Sequence, residues 1–212
     1  MSRLDASPSA SSDAATELAT EPASAATRKR PKPGERRIQI LQALATMLQE
    51  PGTERVTTAL LAGRIGVSEA ALYRHFASKA QMFEGLIEFI EQSLLTLVNQ
   101  IQTREEDGQT QAKRIVAMVL QFAEKNPGMT RVMAGDALVF ENQRLQERMN
   151  QLFDKLEASL RQGLKETASP DAKLRASVAT AFMQGRLQRY ARSGFQRLPT
   201  EQLEGGLTLL LG

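Results

Sequence analysis

Residues 57–83 read TTALLAGRIGVSEAALYRHFASKAQMF. Two short helix-forming runs, about 58–65 and 69–76, are separated by Gly66-Val67. Gly66 can take the left-handed conformation that stops a helix, and Ser68, with Glu69 beside it, is suited to cap the next one. Ser78 and Gln81 then have capping-box spacing, which predicts a long helix running from there to about Arg104. Short helices joined across a tight glycine turn form the helix-turn-helix pattern. The same stretch holds the only histidine of the chain, His75, and one of its two tyrosines, Tyr73. A helix that merely filled a core would not need them.

Their placement on the helix suggests a use. At about 100° per residue, with Leu72 at zero, Phe76 falls near 40° and marks the core edge. Ala70, Arg74 and Ala77 lie roughly opposite, and Tyr73 and His75 flank them on either side. A helix entering a major groove needs small side chains where it meets base edges and polar groups on its flanks for the two phosphate backbones. The N-termini of the second and fourth helices, at Thr57, Thr58, Ser78 and Lys79, can attract phosphate as well. The expected DNA-contacting set is therefore Thr57, Thr58, Ser68, Glu69, Ala70, Ala71, Tyr73, Arg74, His75, Ser78 and Lys79. Taken singly, Tyr73 also suits a partly buried core position and His75 a structural one. The combination of turn, caps and flanking rings favours DNA.

Upstream, Ile38, Leu41, Leu44, Ala45 and Leu48 predict a first helix over about 35–50, ended by Pro51-Gly52. Before it stands RKRPKPGERR, in which Arg28, Lys29, Arg30 and Lys32 form a basic arm. Such a run is either a solvated linker or a phosphate-seeking arm. Residues 1–34 are rich in Ser, Ala, Thr and Pro and poor in large apolar side chains, so they read as a disordered tail. Two further segments are expected: a DNA-binding domain over 35–78 and a helical dimerisation and partner-binding domain over 79–212.

Composition narrows the function. The 212-residue chain has no cysteine and one histidine, with a net charge of +3. That leaves no disulfide framework, no thiolate nucleophile and no Cys-based zinc site. With no glycine-rich phosphate loop and no His/carboxylate metal spacing, neither an enzyme nor a cofactor or metal is expected. No apolar run approaches the roughly 20 residues that span a bilayer, so a cytoplasmic protein without a membrane partner is expected.

Beyond residue 79 the pattern stays helical, and the fold class is all-α. Helices are expected over about 110–125, within 129–140, over 141–167, from Ser169-Pro170 to about Arg192, and after Thr200. The helix over 79–104 carries Phe83, Ile87, Ile90, Leu94 and Val98 on one side, and Leu86, Phe89, Leu95 and Leu97 broaden that stripe. It is either nearly surrounded or partly turned toward a partner. Leu145, Met149, Leu152, Leu156 and Leu160 form a narrow stripe along a long helix. Together with Phe182 on the next helix, they are read as the surface of a homodimer built on a four-helix interface, although part of such a stripe can pack within the subunit.

The segment 57–83, in particular GVS followed by LYRHFASK, resembles the DNA-binding domain of TetR-type regulators. SEAALYRHF (68–76), LIEFIEQSL (86–94), NPGMTR (126–131) and NQLFDKLEASLRQGL (150–164) are further similar to the SlmA nucleoid-occlusion subfamily. That resemblance implies a TetR-like fold and a dimer on palindromic double-stranded DNA, associated with the nucleoid. It also implies antagonism of FtsZ, the tubulin-like division protein, over unsegregated chromosomes. The FtsZ groove of the subfamily lies between the fourth and fifth helices and corresponds here to Phe89, Met118, Lys125 and Asn126. A TetR-type repressor released by a small ligand is the alternative.

Overall fold

The computed structural model describes residues 34–50, 55–166 and 171–212. The tail, the basic arm, the Pro51-Gly52 stop and the Ser169-Pro170 cap lie outside them. Among the described residues the fold is all-helical: α1 (Glu35–Gln49), α2 (Thr58–Arg64), α3 (Glu69–Tyr73), α4 (Lys79–Arg104), α5 (Gly108–Lys125), α6 (Pro127–Met133), a 3-10 turn at Asp136–Leu138, α7 (Gln143–Glu166), α8 (Ala172–Arg192) and α9 (Leu203–Leu211). No helix among them is long and apolar enough to cross a membrane.

Local chemistry explains most of the boundaries. The Thr57 hydroxyl accepts the Leu60 amide at 3.2 Å, and Ser68 accepts Ala71 at 3.3 Å. Asp107 accepts Thr110 at 2.7 Å, which holds its carboxyl below the usual range. Ser78 accepts the Gln81 amide at 3.2 Å, while the Gln81 side chain returns to the Ala77 amide at 2.8 Å. The box therefore closes one residue upstream of its usual partner. Gly66 has φ +66°, as its place after α2 requires. One element is shorter than its pattern suggests: α3 ends at Tyr73 rather than near Phe76. The Leu72 carbonyl accepts both the His75 amide at 2.9 Å and the Phe76 amide at 3.1 Å, a shared closing turn after which Ser78 starts α4.

The expected boundary at 78/79 is not a seam. Gly85, inside α4, lets the Leu41 and Phe76 side chains approach to 3.3 Å of where a Cβ would sit. The first half of α4 is thus part of the core of α1–α3. Beyond that, α4 packs with α5 and α7, burying Ile90, Leu94 and Val98 against a continuous apolar cluster.

Two helix crossings are made at backbone distance. Gly128 in α6 lies against the Ala45 carbonyl of α1, and Gly108 in α5 lies against Gly163 of α7, with no room for a Cβ at Gly128 or Gly108. The α5–α6 corner that presents Gly128 is held by Thr130. Its fully buried hydroxyl donates to the Ala123 carbonyl at 2.8 Å. Gly128→Ala is expected to destabilise the protein by about 1–3 kcal/mol through overpacking. Gly63, in α2 with nothing within 4 Å, is the control: Gly63→Ala should stabilise by about 0.5–1 kcal/mol. Paired denaturant melts check both signs.

Candidate nucleic-acid interface and partner surfaces

Leu72 and Phe76 are only 0% and 1% exposed, which fixes the inner edge of α3. Ser68, Glu69, Ala70, Tyr73, Arg74 and His75 are exposed and Ala71 is half-buried. Six of the expected DNA-contacting residues are thus exposed on or beside a helix of five residues, with Ala71 partly covered. Arg37 of α1 braces this unit from behind: it donates to the His75 carbonyl at 3.0 Å and stacks over the Phe76 ring at 4.1 Å. Thr58 donates to the Glu69 carboxylate at 2.6 Å. This bond ties α2 to α3 across the turn, so Thr58 and Glu69 set the angle between the two helices. Thr57 is exposed, and its hydroxyl caps α2.

Lys79 departs most from expectation. Its ammonium is not free at the end of α4. It is paired with Glu141, in the loop between the 3-10 turn and α7, and the two side chains are only 23% and 10% exposed. It also lies 5.6 Å from the centre of the Phe83 ring. Two more ion pairs continue the line along α4 and α7. Arg144 meets Glu84, and Arg148 places Nε and Nη2 on one Glu91 oxygen at 3.2 and 2.6 Å. A pair between residues 62 apart in sequence leaves no local pattern that could have announced it.

The expected dimer surface needs correction. Leu145, Met149, Leu152, Leu156 and Leu160 are at most 1% exposed within a single chain, because α7 is covered by α4, α5 and α8. A 3.6-period stripe reports burial but not which chain does the burying. Phe182 alone of that set is at the surface, half-buried under Arg186 at 4.8 Å. It borders a different apolar strip on α8, where Leu174 (64% exposed), Val178 (43%), Ala181 and Gly185 recur at steps of four, three and four. The opposite face of α8 is core: Ala172, Ala176, Ala179, Met183 and Leu187. Apolar residues on both sides of α8 were visible in the sequence and were the available signal.

Of the residues implied for a division-protein groove, Phe89 is 49% exposed on α4. Lys125 is exposed and Met118 half-buried on one edge of α5, with Phe122 between them. Asn126 is half-buried, and its amide donates to the Phe122 carbonyl at 2.7 Å where α5 ends and α6 begins. Asn126 therefore shapes the corner, and its amide is already engaged. Among the described residues no group of three or more His, Asp or Glu is placed to hold a metal.

Comparison with known proteins agrees with this architecture. Residues 40–86 match the family described as bacterial regulatory proteins, tetR family. Residues 106–211 match a family described as tetracyclin repressor-like, C-terminal domain, of SlmA-like type. The chain is 52% identical over 174 residues to the nucleoid occlusion factor SlmA of Alteromonas mediterranea, covering 79% of this chain and 89% of that one. It is 52% identical over 183 residues to the SlmA of Serratia proteamaculans, covering 82% and 92%. Among solved structures, a transcriptional regulator from Rhodococcus sp. superposes with a TM-score of 0.70 at 24% identity, covering 83% of this chain and 94% of that one. The fatty acid degradation regulator FadR from Bacillus halodurans superposes at 0.68 and 19% identity, covering 86% and 97%. At those identities the two structures speak to the fold alone.

The Thr58–Glu69 bond yields a direct test. Thr58→Val keeps the shape and removes the donor, and is expected to cost about 1 kcal/mol of stability. Glu69→Gln, which keeps an acceptor, should cost less. Thermal melts of the two variants rank them.

Proposed function

The chain belongs to the SlmA nucleoid-occlusion family of TetR-type regulators, and from that premise we propose that it binds palindromic chromosomal sites as a homodimer and, so bound, antagonises FtsZ polymerisation over the nucleoid. The observation that carries this reading is that three separate surfaces stay open after the core is filled. These are the outward face of α3, the Leu174–Val178 strip of α8, and the neighbourhood of Phe89 on α4. Each has a distinct task in the proposal.

The face of α3 enters a major groove. Tyr73 and His75 flank it, and Ser78, with the first amides of the 26-residue α4, meets phosphate. The α8 strip pairs with its symmetry mate, which sets two α3 helices about one DNA turn apart. Phe89 and Lys125 serve the division protein, the first as an apolar anchor and the second as a rim charge. The helical interior supports a protein partner over a small effector, since Leu94, Val98, Ile115, Val119, Leu152, Leu156, Met183 and Leu187 occupy it at no more than 1% exposure. The protein then works in the cytoplasm, on the nucleoid.

Light scattering of polymerising FtsZ, with the protein alone and with its cognate DNA, tests the whole reading. Suppression that requires DNA is expected. Full polymerisation in both arms, joined to release of DNA by a defined small molecule, would point to a ligand-responsive repressor instead. Phe89→Asp places its charge at an exposed site, so the melting temperature should stay within about 2 °C, while the concentration needed to suppress FtsZ rises about tenfold or more. A variant that unfolds would place Phe89 in the core. Val178→Glu should give monomers in sedimentation and weaken binding to a full palindrome by about 10²-fold or more, through loss of the second half-site.

A further inference from the structure

We propose that Glu141 is a built-in competitor of DNA phosphate for Lys79, so that the loop before α7 both limits DNA affinity and registers DNA binding. The inference rests on the DNA-binding reading above and adds to it a residue outside the helix-turn-helix.

Lys79 is the first residue of α4, directly after the Ser78 cap. It is the cation best placed to join the α4 amides in holding a phosphate. Yet its ammonium is committed to Glu141, over the Phe83 ring, in a pair that is mostly out of water. Along the same α4–α7 ladder Glu84 is held by Arg144, and Glu91 by Arg148. Lys79 is the cation paired with Glu141, whose carboxylate is only 10% exposed.

When a phosphate draws Lys79 outward, a nearly buried carboxylate loses its counter-ion. That cost is charged against DNA binding. It is relieved if the loop moves and hydrates Glu141. Immediately before Glu141 the loop carries Val139 and Phe140, each 68% exposed, and the Glu141 amide is bonded back to the Leu138 carbonyl at 3.0 Å. Exchange at Lys79 therefore alters a segment that is not part of the DNA surface, and by linkage anything that stabilises the displaced loop must favour DNA.

Glu141→Gln removes the competing charge while keeping the shape. Cognate and random DNA should both bind more tightly by about fivefold to twentyfold, because the gain is at phosphate and carries no sequence information. In a Lys79→Gln background the same change should have no effect. The chain contains no tryptophan, so Phe140→Trp supplies a single reporter with the ion pair intact. Saturating cognate DNA should shift its emission, and should not do so once Lys79→Gln is added. Unchanged or weaker DNA binding by a folded Glu141→Gln protein overturns the proposal, as does a reporter blind to DNA. Failure of the unaltered protein to bind DNA at all would instead sink the functional reading beneath it.

Discussion

The tightest constraint on the placement of the DNA-reading unit is the meeting of α6 with α1 at Gly128 and Ala45. A helix pair at ordinary spacing is separated by side chains, and side chains can slide and repack. Backbone against backbone leaves no such freedom. The α5–α6 corner is fixed in turn by Thr130, buried and bonded to Ala123, and by Asn126 bonded to Phe122. The helix-turn-helix is thereby anchored through α1 to the same corner that ends the exposed edge of α5. Arg37, bridging α1 to His75 and Phe76, carries that anchor to the end of α3.

Local features of the fold were legible in the sequence because their causes are local. Caps at Ser68 and Ser78, a threonine cap at 57 or 58 that the structure gives to Thr57, and the left-handed Gly66 are each decided within four residues, and the helices followed from them. The outward surface of α3 was legible for the same reason, since the helical course of five consecutive residues fixes which side chains point away from Leu72. What was not legible involves partners distant in sequence. The α7 stripe announced burial without naming its cover, and the cover proved to be α4, α5 and α8 of the same chain. Lys79 read as a free cation because Glu141 is contributed by a loop that no periodicity describes. The shortening of α3 lay between the two cases. The Ser78 cap was visible, but not the closing turn on the Leu72 carbonyl that precedes it.

The outer face of α8 shows how composition can mislead. Alanine and glycine at 172, 176, 179, 181 and 185 make its two faces alike in size and blur its amphipathicity. Only the solved packing separates the inner row, with Met183 and Leu187, from the outer row, with Leu174 and Val178. Exposed small residues flanked by larger apolar ones let two helices approach closely. A helix that is apolar on both sides within one subunit needs cover on the second side as well.

The helix α4 brings these surfaces together. One side is sunk in the core through Ile87, Ile90, Leu94 and Val98, a second is clasped by the arginines of α7, and Phe89 projects from a third, while its N-terminus faces the DNA-reading unit. A helix held on two sides by core and ion pairs is a poor candidate for bending, so a signal between its ends cannot rest on flexing the shaft. Coupling requires an element with two arrangements whose balance both ligands bias. The ion-pair ladder is graded in that respect. Arg148 is held by two nitrogens on Glu91 and a third on the Glu84 carbonyl at 3.4 Å, whereas Lys79 contributes a single ammonium to Glu141. The rungs at Glu141 and Glu84 thus rest on one bond each, and the multiply held Arg148 farther along keeps α4 and α7 in register.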